Sequence, residues 1–244
     1  MSLPGPDFYD DPEVFATYLA RRRRPDNPND ALEKPALFAL LGDLTGRRVL
    51  DLGCGDAALG REVFARGGAG YVGVEGSRNM AALAVTTLED TPGRVVLADL
   101  ETWVAPEGTF DLVVSRLALH YVSDLAPVFK MAHAALTPGG RFVFSVEHPV
   151  ITCSDLGWQG GGPRQDWVVD DYFVTGRRET DWMGGRVVKY HHTVEEYCGG
   201  LQQAGFQLAG LREAAPQPEH FADPAEYQRR RRIPLFLLLA ATRP

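Results

Sequence analysis

The chain has 244 residues, 45% of them apolar and 23% charged, with 26 Gly and 17 Pro. That composition excludes disordered and collagen-like chains, and the length fits one large domain, with or without an insert, better than two enzymatic ones. Lys and Arg number 25 against 32 Asp and Glu, a net charge of −7, so attraction to a phosphate backbone does not organise the surface and no nucleic-acid partner is expected.

Residues 1–45 alternate proline-punctuated turns with two helical stretches, near residues 11–24 and 29–41, the second capped by Asn29 or Asp30. They read as a helical cap. No basic segment leads into an apolar one there, and the longest apolar run, residues 235–241, falls far short of the roughly 18 residues that span a bilayer. No membrane partner is expected, and that run reads as a buried strand. Cys54, Cys153 and Cys198 lie far apart without CxxC spacing, which points to a reducing cytoplasm.

From Arg47 short β-branched or leucine-rich runs alternate with helix-length segments: RRVLDL, residues 56–66, YVGVE, residues 77–89, RVVLADL, FDLVVSRL, residues 124–136, and RFVFSVE. Such repeats predict an α/β fold with right-handed crossovers and a parallel sheet. Residues 149–190 break the rhythm with seven glycines and Trp158, Trp167 and Trp182. This insert reads equally as a substrate lid or as a structural hairpin over an apolar face. Afterwards Thr193 caps a helix that Gly205 stops, and two strands follow, FQLAGLRE and IPLFLLLAAT.

The segment VLDLGCGDAALG, residues 49–60, is the most informative. An apolar strand ends at Asp51, Gly53 and Gly55 permit a tight turn approached closely by a ligand, and a helix begins near Asp56. Gly53, Gly55 and Ala58 also satisfy the dinucleotide fingerprint, so the turn alone does not separate nicotinamide from other adenosine cofactors. The strand-end acids discriminate. A carboxylate at Asp51 repels a pyrophosphate and attracts a cationic amine or sulfonium. Glu75 closes the second strand where a carboxylate can accept from both ribose hydroxyls, and Asp99, followed by Leu100, closes the third where it can meet an adenine.

On VLDLGCGDA, VGVEGS, VVLADLE, and FDLVVSRLALHYV followed by LTPGGRFVFSV, the chain resembles the class I S-adenosylmethionine-dependent methyltransferases. The turn reads Gly53, Gly55, Ala57 where that family often has a third glycine. The resemblance implies a Rossmann-like seven-stranded, mostly parallel sheet with an antiparallel last strand, residues 206–213 and 233–242 forming the final hairpin. Residues 46–148 and 191–244 would bind S-adenosylmethionine, 1–45 would be the cap, and 149–190 a substrate lid. It further implies that Asp51, Gly53, Cys54 and Gly55 face the methionine end. Glu75, Gly76 and Ser77 would sit at the ribose, Asp99 and Leu100 at the adenine, and Ser115 and Leu117 on the floor. Tyr9 and Arg22 would close over the sulfonium and its carboxylate, while Arg21, Arg23 and Arg24 read as a solvated charge run.

A general base is needed only if the nucleophile arrives protonated. His148, after the fifth strand in FSVEHPV, is the first choice; His120, in LALHYV, and His191 or its neighbour His192 are the others. Neighbouring strand residues point to opposite faces, so neither Glu147 with His148 nor His191 with His192 makes a metal pair, and no metal is expected. The leading reading is a methyltransferase acting on an O, N or C nucleophile of a small organic acceptor. Two others remain: a nicotinamide-dependent oxidoreductase using the same turn, and a macromolecule methyltransferase or noncatalytic module working with a protein partner.

Overall fold

Alternating short apolar strands and helices wind the chain into one central sheet covered by helices on both faces. The computed structural model describes residues 2–22, 27–159 and 166–244. Helices α1 (Gly5–Asp10) and α2 (Pro12–Arg22) precede one wide π-helical turn, Asn29–Glu33, that runs into α3 (Lys34–Leu41). Then come β1 (Arg48–Leu52), α4 (Ala58–Ala65), β2 (Gly70–Glu75), α5 (Arg78–Thr87), β3 (Arg94–Leu97), β4 (Phe110–Arg116), α6 (Leu125–Ala135) and β5 (Leu136–Glu147). A short helix α7 (Pro149–Thr152) leads into two ribbons: β6 (Trp158–Gln159) with β7 (Asp166–Trp167), and β8 (Gly176–Trp182) with β9 (Gly185–His191). Helix α8 (Val194–Gln203), β10 (Gln207–Arg212), α9 (Pro224–Arg230) and β11 (Phe236–Thr242) follow.

The seven-stranded sheet runs β10-β11-β5-β4-β1-β2-β3, with only β11 antiparallel to its neighbours. Strands β1 to β3 proceed one way and β4, β5 the other, so the order reverses between β1 and β4. That switch point opens a crevice at the strands' carboxyl ends. Period-two alternation divides the core: Leu50, Leu52, Val113, Phe142 and Phe144 face α6 and α8, through Phe129, Tyr197 and Leu201. Val49, Leu112, Val114, Val143 and Leu238 face α3, α4 and α5, through Leu37, Leu41, Leu59, Val63 and Ala84. Residues 1–45 are thus split in use: α3 covers a sheet face, while α1 meets α5 and β9.

Two expectations change. Neither Asn29 nor Asp30 caps a helix; Asn27 accepts from the Asn29 N–H at 3.0 Å, and Asp30 pairs with Arg22 at 3.1 Å. The single helix over 29–41 divides into a π turn and α3, because Pro35 has no N–H to continue a regular ladder. The closing strands β10 and β11 pair antiparallel as expected, with residues 213–235, including α9, between them. Arg23 and Arg24 lie outside the described residues, as do residues 160–165 of the insert. Among the described residues no helix is long and apolar enough to cross a membrane.

Candidate active site

A cavity of about 750 Å³ opens at the carboxyl ends of β1 to β4, within the usual size range of small-molecule pockets. Its floor is the turn after β1. Gly53 has φ 73°, and a Cβ there would lie 2.3 Å from the Cβ of Ala118, so both conformation and space demand glycine. Gly55 is also left-handed, at φ 56°, and its N–H donates to Glu75 Oε2 at 2.8 Å. The turn ends on Ala57 at φ 54°, a left-handed alanine where a glycine would be unstrained.

Asp51 is 1% exposed and lines this floor. The Tyr71 hydroxyl donates to its Oδ2 at 2.6 Å, while Oδ1 is buried without a hydrogen-bond partner among the described residues. Burial raises the carboxyl pKa to about 7, against the hydrogen bond from Tyr71. A buried carboxylate oxygen with an unfilled acceptor position, at the edge of a cavity, fits a cationic amine. Glu75 is held on both oxygens, since Oε1 accepts from the Ser77 N–H at 2.9 Å; burial nevertheless pushes its pKa up. Asp99, Leu100, Cys54, Gly76 and Leu117 line the same cavity, which matches a nucleoside lying across the ends of β1 to β3. Burial pushes the Cys54 thiol up, leaving it a small neutral group.

Two residues expected on the wall lie behind it. Ser115 is fully buried and donates to the Leu52 carbonyl at 2.7 Å, tying β4 to β1. Ser77 caps α5, accepting from the Met80 N–H and donating to Asp10 Oδ1 at 2.6 Å. Asp10 also accepts from the Asn79 N–H at 3.0 Å, so the N-terminal segment is clasped to the start of α5.

The opposite wall comes from Tyr9, Tyr18, Arg22, Tyr121, Arg177, Val188 and Tyr190. Leu3 bridges to Val187, with Leu3 N–H to Arg186 O at 3.0 Å and Val188 N–H to Leu3 O at 2.8 Å. Phe8, Val14 and Val187 form a small separate core beneath. The insert is therefore both a hairpin over apolar residues and a wall of the cavity. Arg21 is exposed, as expected of a solvated run, with its guanidinium 5.4 Å from the Trp182 ring centroid, while Arg22 reaches the cavity wall.

None of the three candidate bases reaches the cavity. His148 caps α7, accepting from the Val150 N–H on Nδ1, and its Nε2 meets Glu213 at 3.1 Å; burial outweighs Glu213 and lowers its pKa. His191 donates from Nε2 to the Tyr172 carbonyl at 2.9 Å, leaving Nδ1 to accept from Thr152 at 2.8 Å, so both nitrogens are spent holding the insert. His120 is 2% exposed, stands behind Tyr121 with ring centroids 4.5 Å apart, and has its pKa lowered by burial to about 4. His192, its neighbour's alternative, is also largely buried, beside Tyr197 at 5.5 Å between ring centroids.

Sequence reasoning missed a buried network. Arg116, at the end of β4, forms a bidentate pair with Glu33 in the π turn, and Ser145 donates to Glu33 Oε1 at 2.7 Å. Burial opposes the guanidinium charge, but Glu33 holds it protonated. A charged residue closing the otherwise apolar FDLVVSR was the available signal, but nothing local pairs positions 33 and 116. A second pair, Lys189 with Glu147 at 2.7 and 2.8 Å, joins β9 to the end of β5. Among the described residues no group of three His, Cys, Asp or Glu is placed to hold a metal.

With this geometry in place, known proteins give a consistent comparison. A family model described as a methyltransferase domain matches residues 50–144, the stretch from β1 through most of β5. An S-adenosylmethionine-dependent methyltransferase from Mesorhizobium loti is 39% identical, with a TM-score of 0.81, and the match covers 86% of this chain and 97% of that one. A putative S-adenosylmethionine-dependent methyltransferase from Listeria monocytogenes is 32% identical, with a TM-score of 0.81, covering 87% and 96%. An uncharacterized protein of Haemophilus influenzae is 30% identical over 223 residues, covering 86% of this chain and 88% of that protein.

Proposed function

This chain belongs to the S-adenosylmethionine-dependent methyltransferases, and we propose that it methylates an O, N or C nucleophile of a small organic acceptor held within the cavity described above. The observation that supports this reading is a cavity of about 750 Å³ walled in part by the segments that the Leu3 to Val187 bridge joins, a size that suits small molecules. The unpaired thiols of Cys54, Cys153 and Cys198 favour a cytoplasmic setting.

S-adenosylmethionine would supply the electrophilic methyl carbon, which the acceptor attacks in line as the thioether leaves. Asp51, with its unfilled Oδ1, receives the amine of the methionine end beside the Gly53 to Gly55 backbone. Glu75 accepts from the ribose hydroxyls, its carboxylate pre-aimed by the N–H groups of Gly55 and Ser77. Asp99 and Leu100 hold the adenine. Arg22 and Tyr9 close the methionine end from the N-terminal side. The protein's part in the chemistry is to align and desolvate, since a nucleophile held about 3 to 3.5 Å from its target gains most of its rate from proximity.

Phenols, amines, carboxylates and α-keto acids incubated with enzyme and donor are expected to yield at least one product heavier by a methylene, read by mass spectrometry. Tritium passing from labelled donor into protein or RNA of a cell extract, and into no small molecule, would overturn the small-acceptor reading.

A further inference from the structure

We propose that the acceptor is an amine, received against the tyrosines of the outer wall; this rests on the small-acceptor reading and narrows it. The cavity is electrically lopsided. Its wall carries Arg22, Arg116 and Arg177, and each is already matched by a carboxylate: Asp30, Glu33 and Glu179 respectively. The wall carboxylates Asp7, Asp51, Asp56, Glu75, Asp99 and Glu101 form no ion pair among the described residues. Those with a visible partner meet N–H or O–H groups instead: Asp56 the Ala58 N–H at 3.1 Å, Asp99 the Glu101 N–H at 2.9 Å, Glu101 the Ser123 N–H at 2.6 Å. Three of the six belong to the donor under the reading above. Asp7, Asp56 and Glu101 remain, a surplus of negative charge that favours a cation and repels an anion.

A second, independent observation lies in the rings. Tyr9, Tyr18, Tyr121 and Tyr190 share the wall, with Tyr9 edge-on to Tyr18 at 5.5 Å and to Tyr121 at 6.1 Å between centroids. One of them, Tyr121, already faces an ammonium: Lys189 Nζ, which is paired with Glu147 and does not line the cavity, lies 5.9 Å from the Tyr121 centroid and 4.9 Å from that of Trp182. Tyr9 and Tyr121 hydroxyls meet at 3.1 Å, one donating to the other. That bond uses one of the pair's two hydrogens and one of its four lone pairs, so hydroxyl lone pairs remain to accept from an N–H donor and one hydrogen remains to donate.

Among the described residues no histidine lines this wall. The amine binds as its ammonium and passes one proton to water in the cavity; the nitrogen lone pair so freed forms the N–C bond while the C–S bond breaks, and that bond's electrons stay on sulfur as a neutral thioether. Positive charge passes to nitrogen, beside the rings and the unbalanced carboxylates, which stabilise it as it develops. A primary or secondary amine then releases its N–H proton to water.

The test uses benzylamine, benzoate and benzyl alcohol, each titrated by calorimetry into protein saturated with S-adenosylhomocysteine, so that cofactor affinity does not enter. Benzylamine is expected to bind at least about tenfold more tightly than either partner, an advantage that shrinks as salt rises. Tyr121→Leu is expected to weaken benzylamine at least about fivefold, and Tyr121→Phe, which keeps the ring, to restore it to within about twofold. Benzoate binding as tightly as benzylamine overturns the proposal, as does an unweakened Tyr121→Leu variant. The wild-type ranking decides alone if the leucine variant does not fold. Methyl label found only in macromolecules overturns the small-acceptor reading instead, and this proposal with it.

Discussion

At the end of the cavity proposed for the donor, Asp51, Glu75 and Asp99 stand at the ends of three neighbouring parallel strands, and their positions are set by backbone: the ladder β4-β1-β2-β3 and the left-handed turn at Gly53 and Gly55. At the end proposed for the acceptor, Tyr9, Tyr121 and Tyr190 come from three segments far apart in the chain, brought together by the Leu3 to Val187 bridge, the Asp10 clasp and the Lys189 to Glu147 pair. The contrast teaches what each end can tolerate. A sheet ladder fixes the first end, because β1 and β2 are hydrogen-bonded on both sides and the edge strand β3 on one. The acceptor end depends on a few side-chain contacts, so it can be retuned one residue at a time.

The comparison breaks most severely at Arg116, which lines the cavity between the two ends and pairs with buried Glu33. Arg116→Met leaves Glu33 buried without its counter-charge and is expected to cost about 3 to 5 kcal/mol of stability, measured by urea unfolding. A loss below about 1 kcal/mol would mean that Glu33 is solvated or protonated rather than paired.

Glu75→Ala addresses the donor end alone. It is expected to weaken S-adenosylhomocysteine by about 1.5 to 3 kcal/mol in calorimetry, the cost of charge-assisted hydrogen bonds to the ribose. Undiminished affinity would show that the strand-end acids do not serve the donor.

A smaller effect concerns pH. Asp51 has its pKa raised by burial to about 7 in the free protein, and only its ionised form attracts the cationic amine of the donor. Affinity for S-adenosylmethionine is therefore expected to rise with pH, by up to about tenfold between about pH 6 and pH 8, with a proton released on binding. The stability sign is opposite. A carboxyl whose pKa is higher folded than unfolded weakens the fold as pH climbs from its unfolded value toward 7. Asp51→Asn is expected to flatten both dependences; a wild-type affinity that does not change with pH sinks the assignment.

The smallest effect belongs to His148, beyond both ends. Its ring caps α7 and faces Glu213, so His148→Ala is expected to cost about 1 kcal/mol of stability, the value of a helix cap. Turnover on an acceptor found by mass spectrometry should stay within about twofold. A hundredfold loss, with the fold intact, would return His148 to the chemistry.

The sheet was largely legible beforehand: strand and helix boundaries fall within a few residues of those read from periodicity, since apolar alternation and turn glycines are local signals. The same holds for Asp51, Glu75, Asp99 and Leu100, which the strand-end pattern places and the cavity contains. Ser77 and Ser115 mark the limit of that reasoning. Both lie at the right strand ends, yet a one-residue step turns the side chain from the crevice into the core, as the Ser115 bond to Leu52 shows.

What the sequence by itself determined is the α/β order, the glycine turn and the acidic rim, because each arises from residues adjacent in the chain. What only the tertiary structure decided is which histidines face away, that Arg116 meets Glu33, and that the cavity's outer wall is made of tyrosines. Those contacts join residues separated by dozens of positions, and no local pattern specifies them; packing and the pairing of buried charge do.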